Sequence, residues 1–189
     1  MNDNFPPLDQ VSPVDVLDFW FADGSRAHWW QSSETFDDLI RSQFAELWEQ
    51  ACAGHLDNWA DRPDGALALI ILLDQFSRNL NRGSAKAFAQ DEKAKAIAQA
   101  TIDKGLDMEI DRERRQFIYM PFEHSEELQD QVDALNYMRE RVGEPNAILF
   151  AEKHLAVIEQ FGRFPHRNKA LGRENTMAEL AWLDQGGGF

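Results

Sequence analysis

A chain of 189 residues, 43% hydrophobic and 28% charged, is long enough to bury a sizeable core and too apolar to stay disordered. Its formal net charge of −14 argues against general affinity for nucleic acid or anionic membranes, which both need a positive field. One cysteine, Cys52, excludes an internal disulfide, and the longest apolar run, residues 66–73, is far too short to span a bilayer.

Taken in chain order, nearly every segment reads as helix. Ser12-Pro13 supplies a cap residue and an N1 proline for a short helix over 13–21. Phe36, Ile40, Phe44, Leu47, Trp48 and Ala51 recur at spacings of three and four, which predicts an amphipathic helix closed by Gly54. Cys52 falls among these apolar positions and reads as a small core residue. A helix over 64–82 contains ALALIILL and stops at Gly83, and another over 84–104 stops at Gly105. Residues 112–120 predict a short helix interrupted by Pro121. Helices over 124–142 and 146–161 follow, closed by Gly143 and Gly162. Thr176 and Glu179 have capping-box spacing for a last helix over 176–185.

No segment alternates long enough for a strand, and no linker interrupts the pattern. The expected architecture is one all-α domain, 1–189, of about seven to nine helices. They form antiparallel helical hairpins, either a tetratricopeptide-like (TPR-like) right-handed stack or a compact bundle. Residues 1–10 and 186–189 are expected to be poorly ordered tails. MNDNFPPLDQ has neither the basic nor the apolar part of a secretory leader, so the expected compartment is the cytoplasm.

Three polar clusters stand out against this apolar pattern. In the first, Asp74 and Arg78 share one helix face, and Gln75, Asn79 and Arg82 occupy the neighbouring one, just past the most buried-looking run. The second is FEHSEELQDQ, 122–131, where Ser125 is a candidate cap with Glu126 and Glu127 in the first turn behind it. His124 has no such local explanation, and His154 stands alone on an apolar helix. The third is FGRFPHRN, where Arg163, His166, Arg167 and Asn168 fill a loop stiffened by Pro165. Guanidiniums and amides there supply planar donors suited to carboxylate or phosphate.

The common chemical signatures are missing. The sequence has no HExxH, GxGxxG, GxxxxGK[ST] or GxSxG, and the ExxH pair of di-iron bundles is absent because Glu152 and His154 are two apart. No metal and no cofactor is expected.

The motifs VLDFWF (16–21), LLDQFSRNLNRG (72–83), YMPFEHSEELQDQ (119–131) and FGRFPHRNKALGRENT (161–176) resemble domain-of-unknown-function family 924. The likeness runs over nearly the whole chain. Ser77 is a departure, since the resemblance implies proline there. It also implies an all-helical fold grouped with tetratricopeptide-like hairpins, and no activity.

Three functions follow as expectations. If the clusters converge, they form a site for a small anionic molecule, in a binder or an enzyme. Arg78, Arg82, Arg163 and Arg167 would clamp the anion, with Asn79, His154 and Asn168 nearby. His124 and His166 are then the candidates for proton transfer, and Asp74 or Glu127 would orient one of them. Alternatively, a TPR-like groove clamps an acidic peptide or a C-terminal carboxylate. In the blandest case the same groups only brace helices. Concentration of the distinctive residues in three motifs favours the compact small-molecule site.

Overall fold

The computed structural model describes residues 10–188, and several elements begin where the sequence signals lie. Helix α1 spans Pro13–Phe21, and the Asp15 carboxylate accepts the Ser12 backbone N–H at 2.8 Å and its hydroxyl at 2.7 Å. The short α2 (Asp23–Arg26) leads to α3 (Glu34–Cys52), whose first turn donates the Phe36 N–H to the Ser33 hydroxyl. Gly54 ends α3 with φ 86°, a left-handed conformation that glycine adopts without strain. Cys52 is half-buried against the core, and burial pushes its thiol pKa up.

Helix α4 is the axis of the molecule. It begins as Pro63–Ile70, continues through a π-helical turn, Ile71–Phe76, and ends with Ser77–Leu80. Residues 66–73 are at most 1% exposed, which explains why this stretch carries no polar face. It packs against α1, α3 and the next two helices in the chain. Ser77 stands just after the π turn, accepting the Trp48 indole N–H at 2.8 Å and donating to the Leu73 carbonyl at 2.5 Å. The serine thereby satisfies a carbonyl four residues back.

Three predicted elements differ from the structure. The stretch 84–104 is not one helix: the Ser84 hydroxyl caps a 3₁₀ turn, Ala85–Phe88, the chain turns, and α5 runs Asp91–Asp103. Pro121 does not interrupt its helix either, and α6 runs Arg112–Glu123 straight through it. The missing N–H forfeits one bond, to the Phe117 carbonyl, while every residue from Gln116 to Glu123 is buried, so packing outweighs the loss. The helix expected from 124 starts later. Here α7 is Leu128–Tyr137, prolonged by a second π turn, Met138–Val142, because 124–127 form a stitched turn instead.

Helix α8 (Pro145–Phe161) ends at Gly162 with φ 67°, and α9 is Met177–Asp184. The capping box holds as predicted: Glu179 N–H donates to the Thr176 hydroxyl, and Thr176 N–H to the Glu179 carboxylate at 2.6 Å. Nine helices and no strand are thus present among the described residues. They form a compact bundle around α4. A main apolar core runs from α1 to α8, and a satellite of Val157, Ile158 and Phe164 sits beneath Phe161 and Trp182. Of the expected tails, residues 1–9 and 189 lie outside the described residues, while Gly186 and Gly187 close back on the Leu183 and Trp182 carbonyls.

Candidate functional site

The π turn of α4 places Asp74 at the centre of a polar cluster, 1% exposed. Such turns re-aim side chains that a regular helix would leave on another face. Oδ1 of Asp74 lies 2.8 Å from His124 Nδ1 and 3.0 Å from Arg78 Nη1, and its Oδ2 accepts from the Gln75 amide. Arg78 reaches onward to Asp91, in the first turn of α5, with two bonds of 3.1 Å. Asp91 Oδ2 is also 3.4 Å from Nη1 of Arg167, from the far end of the chain. The Arg167 guanidinium lies over the rings of Phe88 (4.7 Å) and Phe164 (4.4 Å).

Local chemistry explains how His124 is held. It caps the C-terminal end of α6, where carbonyls run out of helical partners. Gln131, fully buried on α7, donates its amide to the carbonyls of Phe122, Glu123 and Ser125 and so fixes the turn. Ser125 accepts the Glu127 N–H and donates to Asp130 rather than capping the helix in the predicted way. Glu126 ties this turn to the last loop, accepting the Phe164 N–H at 2.8 Å and both terminal nitrogens of Arg173 at 2.7 and 2.9 Å.

Two carboxylate–imidazole pairs result. His154 Nδ1 lies 2.9 Å from Glu123 Oε1 and 2.8 Å from the Phe150 carbonyl, so its proton belongs on Nδ1. The His124 and His154 ring centroids are 6.0 Å apart, and Phe164 separates His154 from His166. Nε2 of His124 has no hydrogen bond among the described residues, and 11% of that side chain is accessible. A neutral His124 donating from Nδ1 to Asp74 presents Nε2 as a base.

Electrostatics favours that neutral form. Burial, and then the Arg78 charge, push the His124 pKa down against the pull of Asp74. Burial pushes the Asp74 carboxyl up, but Arg78 and His124 overcome it and hold the group well below the usual carboxylate range. Desolvation by the surrounding protein, and next Arg167, bring His166 down to about 4, although the residue is exposed. Burial, and next Arg78, lower Arg167 to about 10.

An imidazole with a lower pKa folded than unfolded leaves the extra proton with the unfolded chain, so stability is complete above about pH 6.5 and declines below it. Asp74, Glu126 and Asp37 are lowered carboxylates, whose contribution is lost only as pH falls further, through their folded values. The urea midpoint is therefore expected to fall from pH 6.5 to 4, and His124→Gln to flatten the upper part of that decline. A midpoint constant from pH 7 to 5 would contradict the burial of a neutral His124.

Asp74, Arg78, His124, His154, His166 and Arg167 thus gather in one region, through Phe88, Asp91, Glu123 and Arg173, which the sequence does not single out, and through Glu126, which it explains as a helix-start carboxylate. The remaining predicted residues are engaged by other partners. Asn79 and Arg82 both bind Asp37 of α3, beside an open depression of about 450 Å³. Arg163 pairs with Glu179, Asn168 with Asn175 and Arg173, and Glu127 is exposed. No group of three histidine, cysteine, aspartate or glutamate side chains suited to a metal ion occurs among the described residues, and no helix among them is long and apolar enough to cross a membrane.

Known proteins add fold and family to this geometry. No curated protein matches the chain. A solved structure of a protein of unknown function from Agrobacterium tumefaciens is similar to it, with a TM-score of 0.87 and 34% identity over 92% of this chain and 97% of that one. The sequence profile described as "Bacterial protein of unknown function (DUF924)" matches residues 16–187. The chain belongs to that family.

Proposed function

We propose that the cluster around Asp74 is a binding site for a small anionic molecule, with the Asp74–His124 pair exchanging a proton with what is bound. The observation that carries this reading is Arg167. The residue is 6% exposed, yet among the described residues its Nε–H, wholly shielded from solvent, has no acceptor, and its one ion pair is a loose 3.4 Å contact. A buried donor left unpaired costs about 1–3 kcal/mol, so a chain that keeps one there gains something other than stability.

In the same cluster, reached from Arg167 through Asp91, Arg78 and Asp74, His124 has one nitrogen fixed by a carboxylate and the other without a hydrogen bond among the described residues, the arrangement of a general acid–base group. A peptide clamp would need these side chains exposed along a groove, and Asp74, His124 and Arg167 are buried. Bracing is the role of Arg163, Arg173 and Asn168, whose donors are matched by carboxylates and amides of the fold.

The test is a thermal-shift screen of small carboxylates and phosphates against the wild type, His124→Gln and Arg167→Met. A ligand should raise the wild-type melting temperature and leave Arg167→Met unmoved. Its binding to the wild type should change as His124 gains a proton on acidification, and that pH dependence should be lost in His124→Gln. Identical responses from three folded proteins would sink the proposal.

A further inference from the structure

Resting on that reading, we infer that the anionic group is a planar carboxylate, taken side-on by the Nε/Nη2 edge of Arg167, and that the site discriminates against tetrahedral oxyanions such as phosphate. Nη1 of Arg167 faces Asp91, while Nε has no acceptor and Nη2 makes no hydrogen bond among the described residues. Those two nitrogens lie on one side of the guanidinium and present two parallel N–H donors, a spacing matched by the two oxygens of a carboxylate.

This chain already uses the same edge twice. Arg163 holds Glu179 through Nε (2.6 Å) and Nη2 (2.8 Å), and Arg82 holds Asp37 through Nε (2.8 Å) and Nη2 (2.9 Å). In both cases the occupant is a carboxylate of the fold. Arg167 is the buried arginine whose corresponding edge no carboxylate of the described fold fills.

Charge and shape point the same way. Asp74, Asp91, Glu123 and Glu126 outnumber Arg78, Arg167 and Arg173 by one, before any charge on the imidazoles. A cluster with no net positive charge draws little from the charge of its ligand and much from the fit of donors to acceptors, which handicaps a dianion. The Phe88 and Phe164 rings stand against the guanidinium carbon, so a polar partner reaches Arg167 at its edge, in the plane where a flat group fits and a tetrahedral one projects oxygens toward apolar surface.

The experiment follows arginine Nε–H signals of ¹⁵N-labelled protein by NMR at pH 7.5 and constant ionic strength. The probes are sodium acetate, acetamide and sodium phosphate. The Arg167 signal, identified by its loss in Arg167→Lys, is expected to shift saturably with acetate, at an affinity at least tenfold above those of acetamide and phosphate. Arg167→Lys, which keeps the charge and loses the fork, should lose the acetate response seen at neighbouring backbone amides. Selectivity among the probes is read on the wild type, so it stands even if the variant folds poorly.

Phosphate binding as tightly as acetate overturns the carboxylate assignment and leaves the anion site intact. Acetamide binding equally overturns the requirement for charge. If neither acetate nor phosphate moves any signal of the cluster, this inference and the proposed function fall together.

Discussion

Asp74→Ala is expected to lower the unfolding free energy by about 3 kcal/mol, the low end of the 3–5 kcal/mol typical of removing one partner from a buried ion pair. The low end applies because Arg78 keeps its two bonds to Asp91 and is partly accessible. His124 loses the acceptor that fixes its Nδ1 proton, and Gln75 loses its side-chain oxygen partner. Urea unfolding of Asp74→Ala, Arg78→Met and the double variant closes the cycle. If Asp74 and Arg78 act as a pair, the double variant is less destabilised than the sum of the single ones. Strict additivity would show that the 3.0 Å contact carries no coupling.

Arg167→Met is expected to do the opposite of what the burial of Arg167 suggests. An unbranched apolar side chain of similar length fills the space against Phe88 and Phe164 and removes a shielded charge with an unsatisfied Nε. Asp91 is not stranded, because Arg78 remains on it. The losses are one long ion pair and the contacts of a cation with two rings, which together roughly balance the relief. The variant should therefore unfold within about 1 kcal/mol of wild type, or above it, while losing the response to carboxylates. A stable protein that has lost its ligand is the signature of a residue kept for function at the expense of stability. A loss of 3 kcal/mol or more would mark Arg167 as a brace instead.

The sequence announced the helices because their signals are local. Ser12-Pro13, Gly54 and the Thr176–Glu179 box act within a turn or two, and the periodicity of α3 is carried by the segment itself. Pro121 misled because its local penalty is real, and only the burial of Gln116 to Glu123 shows that it is outweighed. The two faces of the first polar cluster were visible in the spacing of Asp74 and Arg78 against Asn79 and Arg82. What each face meets was not, since His124 and Asp37 lie about fifty and forty residues away in opposite directions. From the sequence, Glu126 reads only as a first-turn carboxylate and Asp91 not as a partner at all, for a related reason. An acidic residue near the start of a helix is already explained by the helix end, so nothing in the sequence asks for Arg167 or Arg173 as a second partner.

The π turn of α4 has a meaning beyond aiming Asp74. A turn closed five residues back instead of four holds one residue more than its neighbours, and in a helix of 3.6 residues per turn that offsets everything beyond it by about 100°. The apolar run ahead of the turn and the polar end behind it are thus set to different phases of one rod. In an unbroken α-helix, the direction that serves the core at Leu69 would dictate where Arg78 points. With the phase reset between them, the most deeply packed helix of the protein can satisfy the core along one stretch and the polar cluster along the next.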